Sequence, residues 1–264
     1  MSAAAPPKLV VEDVTLRYRT AERVVTATSR VNFAVYPAER FVLLGPSGCG
    51  KSTLLKAIGG FIRPAAGAIR LNGRPIERPN VDRMMVFQEF DQLLPWKTVE
   101  QNVMFPMLAS GKWRADDVRA RTSAAIEMVG LAQFRGAHPH TLSGGMKQRV
   151  AIARAMAMEP EVLLMDEPFA ALDALTRQLM QKELLRLWEN TRFTMVFVTH
   201  SIEEAIVLGS RILILSPHPG RVRAELNAQI DQGREESGAF KALYDRIQSL
   251  LFETGGADEG RPNV

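Results

Sequence analysis

The sequence contains a single cysteine in 264 residues, so no disulfide can form within the chain. That absence excludes the disulfide-rich scaffolds typical of small secreted proteins. The sequence also lacks a large excess of charge of one sign, because 33 lysines and arginines against 29 acidic residues give a formal net charge of only +4. An excess this small lacks the concentrated basic surface of a nucleic-acid-binding protein, and we therefore expect no nucleic-acid partner.

Long hydrophobic runs are missing as well. The longest apolar stretches, such as residues 162–165 and 212–215, have only the length of a strand, whereas a helix needs about 20 apolar residues to span a bilayer. The first residues lack the basic segment and apolar core of a signal peptide. We therefore expect a soluble, cytoplasmic protein whose contact with any membrane depends on a partner.

The elements that are present favour an α/β fold. Residues 9–36 are rich in β-branched residues in a nearly alternating pattern, which is typical of strands. Short apolar strands at residues 41–45, 161–165, 194–198 and 211–215 then alternate with helical segments. Strands that alternate with helices indicate a right-handed, mostly parallel sheet.

Residues 91–158 interrupt this alternation, since β-branched clusters are few there, and we expect an inserted α-helical subdomain. Near the end of the chain, residues 239–252 have the pattern of an amphipathic helix. We therefore divide the chain into a main domain at residues 8–230, a C-terminal helical extension at residues 231–253 and a disordered tail at residues 254–264.

The strongest motif is GPSGCGKST at residues 45–53, between an apolar strand and a helix predicted from residue 51 to about residue 61. We call this segment the phosphate loop, because in the pattern G-x-x-x-x-G-K-[ST] backbone N–H groups and a helix N-terminus bind phosphate oxygens. Lys51 would neutralise the outer phosphates, and Ser52 would ligate Mg²⁺. An ordinary glycine-rich turn is the alternative, which the flanking strand and helix disfavour. The nucleotide-binding candidates here are Gly45, Pro46, Ser47, Gly48, Cys49, Gly50, Lys51, Ser52 and Thr53.

Two carboxylates follow the apolar strand that ends at residue 165. A parallel sheet gathers its ligand chemistry at the carboxyl ends of its strands, so Asp166 is expected to reach the Mg²⁺ held by Ser52. Glu167 is the candidate general base that polarises the attacking water. A helix N-cap aspartate with a first-turn glutamate is the alternative, and it is the simpler interpretation where no phosphate loop is present.

A second candidate anion site lies in LSGGMKQR at residues 142–149, which opens a predicted helix. Ser143, Gly144 and Gly145, which we call the signature turn, would offer bare amides and a hydroxyl. Taken alone, the pattern is also that of a capped helix.

In their order along the chain, GPSGCGKST, LSGGMKQR, LLMDEP and the histidine of VFVTHS resemble the ATP-binding subunit of an ABC transporter. The resemblance extends from about residue 9 to residue 222. It implies an α/β fold of the P-loop NTPase type, with a mostly parallel core sheet, an N-terminal antiparallel β subdomain and an inserted α-helical subdomain. It also implies ATP hydrolysis, with ATP and Mg²⁺ as cofactors.

The resemblance implies roles for four further residues. Tyr18 corresponds to an aromatic that stacks on adenine, although a strand tyrosine facing the core is the alternative. Gln88 corresponds to a glutamine that senses Mg²⁺ and the attacking water and links to the membrane partner. Asp173 corresponds to an aspartate at the dimer interface, and His200 to a histidine that contacts the γ-phosphate. We therefore expect Gln88 and His200 to act in catalysis beside Glu167.

Three positions need separate comment. Met146 stands where many relatives carry glutamine, which puts a contact to the partner-bound nucleotide in doubt. Ala170 replaces a common serine and removes one hydroxyl. Cys49 lies near a helix N-terminus that would lower its thiol pKa, although a small residue fitting the loop is the simpler interpretation. Met146 and Ala170 leave the residues of the phosphate loop and the two carboxylates as the family has them, so we expect ATP hydrolysis to be retained.

The resemblance further implies a dimer. One chain supplies two anion-binding helix ends, at Lys51 and Ser143, but only one carboxylate pair, so a second copy would complete each ATP site. ATP would close the dimer, and hydrolysis would open it. We therefore expect a homodimer on integral membrane permease subunits at the cytoplasmic face of the inner (plasma) membrane, served indirectly by a periplasmic or extracellular solute-binding protein.

The segments LLPW, LSGGM and PGR resemble the nitrate/sulfonate/taurine import group. Trp96 would then lie at the groove that accepts a permease helix, although packing inside the helical subdomain is the alternative. A soluble ABC ATPase with a non-transport role is the other function considered. Its best-known forms carry two motif sets or a long coiled-coil insertion, and this sequence has neither.

Overall fold

The computed structural model describes residues 5–19, 23–88, 92–228 and 238–252. Its strands, in chain order, are β1 (Leu9–Arg19), β2 (Val24–Val35), β3 (Arg40–Leu44), β4 (Ala66–Leu71), β5 (Arg74–Pro75), β6 (Arg83–Val86), β7 (Val162–Asp166), β8 (Thr194–Thr199), β9 (Arg211–Leu215) and β10 (Val222–Asn227). The helices are α1 (Lys51–Ile58), α2 (Val99–Ser110), α3 (Ala115–Met128), α4 (Gly144–Met156), α5 (Ala174–Thr191), α6 (Ile202–Leu208) and α7 (Gly238–Phe252).

The strands form two sheets of different character. One sheet has the order β2-β1-β4-β5 and is antiparallel throughout. The other has the order β10-β9-β3-β8-β7-β6, in which only the pair of β10 with β9 is antiparallel among the described strands. The predicted mostly parallel core sheet and N-terminal antiparallel β subdomain are therefore confirmed.

The parallel sheet is buried on both faces, which explains its nearly continuous apolar strands. Along β3, Phe41 and Leu43 face one hydrophobic core while Val42 and Leu44 face the other. The first core lies between the two sheets and encloses α1, with the rings of Phe33 and Phe41 stacked 4.9 Å apart. The second core lies between the parallel sheet and helices α2 to α7.

The predicted helical insertion is present as α2, α3 and α4, between β6 and β7. A capping box of Thr98 and Gln101 begins α2, and Gly111, with a φ of 62°, ends it. No helix within the described ranges is both long and apolar enough to cross a membrane.

Some predicted boundaries differ from the observed ones. We expected α1 to continue to about residue 61, but it ends at Ile58 because Gly60 adopts a φ of 83° and stops the helix. The predicted C-terminal helix is observed as α7, whose Ile247 is buried against the second core. The disordered tail predicted at residues 254–264 lies outside the described residues, and the proposed domain boundaries stay predictions.

Candidate functional site

The phosphate loop joins β3 to α1 and presents a backbone suited to phosphate. Gly48 and Gly50 have φ values of 81° and 95°, in the left-handed region that side chains disfavour. α1 begins at Lys51 without a side-chain cap, and its first backbone hydrogen bond runs from the Leu54 N–H to the Gly50 carbonyl oxygen at 2.8 Å. The N–H groups that precede Leu54 in the helix have no intrahelical acceptor. Such N–H groups at a helix N-terminus bind anions, and the geometry therefore fits the nucleotide predicted from the motif.

Lys51 is held inside this loop. Its side chain is buried, and the residue is only 4% exposed. The ammonium donates hydrogen bonds to the carbonyl oxygens of Gly45, at 2.7 Å, and Pro46, at 3.0 Å. A buried ammonium needs such acceptors, and here they keep the positive charge beside the same backbone amides that would bind phosphate.

The thiol of Cys49 differs from the prediction made from its place near a helix N-terminus. The residue is fully buried, and burial raises the pKa of its thiol, outweighing the nearby Lys51 ammonium that acts in the opposite direction. The lowered pKa suggested by the helix N-terminus is therefore wrong, because the loss of solvent dominates. Its Sγ would lie 2.9 Å from a Cβ placed at Gly45, so Cys49 acts as a small packing residue of the loop.

Asp166 reaches across from the end of β7 to the phosphate loop. The Ser52 hydroxyl donates to its Oδ1 at 2.7 Å, which brings the two predicted Mg²⁺ ligands together. Burial is the main cause that raises the pKa of Asp166, and the adjacent Glu167 raises it further. A cation would relieve both effects, and a hydroxyl beside a carboxylate matches the oxygen ligands that Mg²⁺ takes in nucleotide sites. The residues present therefore fit the ion.

Glu167 and His200 also meet, because β7 and β8 are neighbours whose carboxyl ends lie side by side. Nδ1 of His200 lies 2.8 Å from Oε2 of Glu167, and since a carboxylate only accepts, the imidazole donates. Glu167 has a φ of 43°, which is uncommon for any residue other than glycine. Strain of this kind costs about 1–3 kcal/mol and clusters at active sites.

Gln88 and Tyr18 are exposed and make no side-chain hydrogen bond to these pairs within the described part of the chain. Gln88 follows β6, where the Gln92 side chain accepts from the Phe87 N–H at 3.3 Å and donates to its carbonyl at 2.9 Å. Tyr18 lies near the C-terminal end of β1 and is 48% exposed, so the alternative that it faces the core does not apply. Both roles stay predictions.

The signature turn begins α4 away from the phosphate loop. Ser143 caps the helix by accepting from the Met146 N–H at 3.3 Å, and Gly145 packs so closely on α5 that a Cβ there would lie 3.0 Å from Thr176 Cγ2. Among the described residues, no hydrogen bond joins this turn to the phosphate loop.

Asp173 and Met146 have structural roles of their own. Asp173 caps α5 by accepting from the Thr176 N–H at 3.0 Å, and that backbone hydrogen bond is the main cause that lowers the pKa of its carboxyl. The partly buried Met146 packs against the second core, where its flexible thioether side chain fills space. Neither observation tests the role of these residues at a dimer interface.

One element of the site was missed in the sequence. The turn at residues 216–221, which we call the β9–β10 turn, lies against the phosphate loop. Gly220 exchanges backbone hydrogen bonds with Ala27 and Ser29 of β2, at 2.9 Å each. Nδ1 of His218 lies 3.3 Å from the Gly48 carbonyl oxygen, and a Cβ at Gly220 would lie 2.1 Å from the carbonyl oxygen of Cys49. We interpreted PGR in the sequence only as a likeness to an import group, although a proline–glycine pair is a turn signal.

The buried carboxylate of Asp166 predicts a gain in stability on its removal. The ordinary pKa is 3.8 and the folded value is raised, so the cost of the charged form is absent below pH 3.8 and complete above the raised pKa. We expect Asp166→Asn to raise the free energy of unfolding of the nucleotide-free protein by about 1 kcal/mol at pH 7. Urea unfolding at pH 7 and at acidic pH will measure it, with the exposed Asp245→Asn as control. Equal stability of the two variants at pH 7 would contradict the argument.

Comparisons with known proteins agree with this geometry. The family profile described as ABC transporter matches residues 28–170. The Taurine import ATP-binding protein TauB of Rhizobium johnstonii is 46% identical over 88% of this chain and 91% of its own length. An uncharacterized ABC transporter ATP-binding protein of Methanocaldococcus jannaschii is 43% identical over 92% of this chain and 91% of its own.

Solved structures show the same likeness. An ATP-binding cassette in a dimeric, post-hydrolysis state bound to ADP and Pi superposes with a TM-score of 0.72 at 32% identity, covering 84% of this chain and all of that one. With the phosphate loop, the Ser52–Asp166 pair and the Glu167–His200 pair in place, sequence and structure lead to one assignment. The chain belongs to the ABC transporter family, and it is an ATP-binding subunit that hydrolyses ATP.

Proposed function

We propose that this ATPase subunit energises uptake of a small oxyanion-type solute through a separate membrane permease, with taurine, other sulfonates and nitrate as the candidates. The observation that carries the proposal is the 46% identity, over 88% of the chain, to a protein named for taurine import. No feature of the described residues favours the alternative of a non-transport ATPase.

The site residues divide the chemistry of hydrolysis among them. The phosphate-loop amides and Lys51 bind the phosphates, and Ser52 and Asp166 hold Mg²⁺, which offsets phosphate charge when bound. Glu167 orients the attacking water and accepts its proton, while His200 keeps that carboxylate in place through Nδ1. In this proposal Gln88, which is exposed after β6, reports the state of the Mg²⁺ and the water to the permease.

The proposed active form is a head-to-tail homodimer. Within one chain the signature turn and the phosphate loop share no hydrogen bond among the described residues, and in the dimer the signature turn of one copy faces the phosphate loop of the other. In this arrangement Ser143, Gly144 and Gly145 of one copy bind the nucleotide held by the other, and Asp173 lies at the interface. Tyr18 stacks on the adenine. The dimeric state of the solved cassette with ADP and Pi supports this proposal.

The permease would dock on an exposed apolar patch of the helical insertion. Trp96 is 71% exposed, which disagrees with the alternative that it packs inside the subdomain. Phe105 and Leu108, on one face of α2, are exposed as well, and we call these three residues the docking patch. The Nζ of Lys97, next to Trp96, lies 5.5 Å from the centroid of the Phe105 ring, which brings the Trp96 loop to this part of α2. Exposed aromatic and apolar side chains in one region indicate a protein-binding surface.

The loop that carries Trp96 is held rigidly. Asn102, which is fully buried in α2, accepts from the Leu94 N–H at 2.8 Å. Its amide nitrogen lies 3.0 to 3.1 Å from the carbonyl oxygens of Leu94, Lys97 and Thr98. A preorganised loop loses little entropy when a partner binds, which suits an anchor residue. Docked on the permease in this proposal, the subunit lies peripherally at the cytoplasmic face of the membrane, and an extracytoplasmic solute-binding protein serves the permease from the other side.

Reconstitution tests the proposed function. The chain, co-expressed with the permease subunits and assembled in liposomes, should drive ATP-dependent uptake of one solute of the panel taurine, an alkanesulfonate and nitrate. The matching solute-binding protein should stimulate ATP hydrolysis only when that solute is present. ATP hydrolysis without uptake of any member of the panel would contradict the assignment to this import group.

Trp96→Ala tests the docking patch in the same assembly. We expect ATP binding by the isolated subunit to be unchanged and its affinity for the permease to fall by about ten-fold or more, because a buried aromatic anchor is worth about 2 kcal/mol or more. Phe252→Ala is the matched control, since Phe252 is equally exposed but lies on α7. Binding of the permease that is the same for both variants would disprove the docking role of Trp96.

A further inference from the structure

A buried polar network begins at the end of β8, one residue before His200. The hydroxyl of Thr199 accepts from the Ser201 N–H at 3.0 Å, so it fastens together the two residues that flank the histidine. The same hydroxyl donates to a carboxylate oxygen of Glu204 on α6. Ser201 in turn caps α6 by accepting from the Glu204 N–H at 3.2 Å. The backbone on both sides of His200 is thus tied to one side chain, Glu204.

Glu204 extends the network to α5. The residue is 7% exposed, and its second carboxylate oxygen accepts from the Gln181 amide at 3.2 Å. Burial raises the pKa of this carboxyl, so keeping it charged there is costly. Arg177, one turn before Gln181, donates to the Leu172 carbonyl at 3.0 Å and thereby holds the residues that precede Asp173. One helix therefore connects the His200 segment with the segment that carries Asp173.

No step of the proposed hydrolysis uses these buried groups. A purely structural need would be met more cheaply by apolar side chains of similar volume, because a buried carboxylate seldom stabilises a core. The network does, however, determine where the backbone of His200 lies, and His200 contacts Glu167 at 2.8 Å. A small displacement of a catalytic contact lowers the rate strongly, by up to about 10²-fold for 1 Å.

We propose that Thr199, Glu204 and Gln181 are positioning residues for His200, which fix the start of α6 against α5 and so hold the imidazole on Glu167. This inference rests on the proposed function, in which His200 acts in ATP hydrolysis. The network acts on the chemical step and leaves the phosphate loop untouched, so its loss lowers kcat and spares the KM for ATP.

Thr199→Val tests the network, because valine keeps the β-branched shape and removes only the hydroxyl. With the full chain, ATP and Mg²⁺, we expect kcat to fall by about ten-fold or more and the KM for ATP to stay within about two-fold. Thr199→Ser, which restores a hydroxyl, should recover most of the rate. Gln181→Leu, which removes the other partner of Glu204, should lower kcat in the same direction by a smaller factor.

The matched control lies on the same strand. Thr194 at the start of β8 is as buried as Thr199, and its hydroxyl accepts from the Ala38 N–H at 3.0 Å, far along the strand from His200. Thr194→Val should lower the melting temperature as much as Thr199→Val but leave kcat near that of the unchanged protein. Equal kcat losses in the two valine variants, or a loss seen only in KM, would overturn the proposal.

His200→Ala distinguishes a failure of the positioning network from a failure of the proposed catalytic role of His200. If it abolishes turnover while Thr199→Val and Gln181→Leu retain full kcat, the positioning network is disproved and the proposed role of His200 stands. If His200→Ala itself leaves kcat unchanged, both are disproved, because there would be no catalytic contact to position.

Discussion

Glu167→Gln will lower ATP turnover by about 10³-fold and trap the protein as an ATP-bound dimer. The amide cannot accept the proton of the attacking water, whereas it keeps the size of the side chain at a strained backbone position with a φ of 43°. Binding should persist, because the phosphate loop and the Ser52–Asp166 pair do not change. Light scattering on a sizing column with ATP and Mg²⁺ will measure the mass, and a phosphate-release assay will measure the rate.

The control for this variant is Glu203→Gln, an exposed carboxylate in the first turn of α6. It should turn over ATP at the rate of the unchanged protein and show no trapped dimer. A Glu167→Gln protein that remains monomeric with saturating ATP would count against head-to-tail association, and one that keeps its turnover would remove Glu167 as the general base.

Gly220→Ala should reduce kcat/KM for ATP by about 10²-fold, mainly through KM. The added Cβ would lie 2.1 Å from the Cys49 carbonyl oxygen, about 1 Å or more inside van der Waals contact, so the β9–β10 turn and the phosphate loop have to move apart. Gly50 of the same loop is closely packed as well, since a Cβ in its position would lie 2.7 Å from the Ala27 carbonyl oxygen. Isothermal titration with ATP and steady-state kinetics will measure the loss.

Gly136→Ala is the matched control, since it makes the same chemical change where nothing lies within 4 Å of the added Cβ. It should leave ATP affinity unchanged. A Gly220→Ala protein that binds ATP as tightly as Gly136→Ala would show that the β9–β10 turn does not support the phosphate loop.

The fold could be predicted to a large extent because its signals are local. The strands of the parallel sheet are apolar on both faces, and turns and helices separate them at regular intervals, as in residues 161–215. The predicted helix ends were less accurate than the predicted strands, since the C-terminus of α1 depends on the left-handed conformation of Gly60 rather than on the hydrophobic pattern. Helix and strand type follow from periodicity, whereas a terminus follows from the conformation of one residue.

Some features of the candidate site could likewise be predicted from the sequence, and others could not. The phosphate loop and the two carboxylates are contiguous segments with a spacing that chemistry requires, so the sequence alone indicated them. The exposure of Trp96, in contrast, depends on the hydrogen bonds with which Asn102 holds its loop on the outside of α2. The raised pKa of the Cys49 thiol depends on how completely the neighbouring segments exclude water.

The sequence by itself therefore determined an α/β ATPase with one phosphate loop, one carboxylate pair and one signature turn, because each of these is encoded in consecutive residues. The meeting of Ser52 with Asp166 was expected from the carboxyl end of its strand, whereas only the tertiary structure decided that His200 meets Glu167 and that Gly220 contacts Cys49. These partners are 33 to 171 residues apart, and their contact is created by the order of the strands β9-β3-β8-β7 in the parallel sheet. Strand order is a property of the packed core, and no local pattern in the chain expresses it.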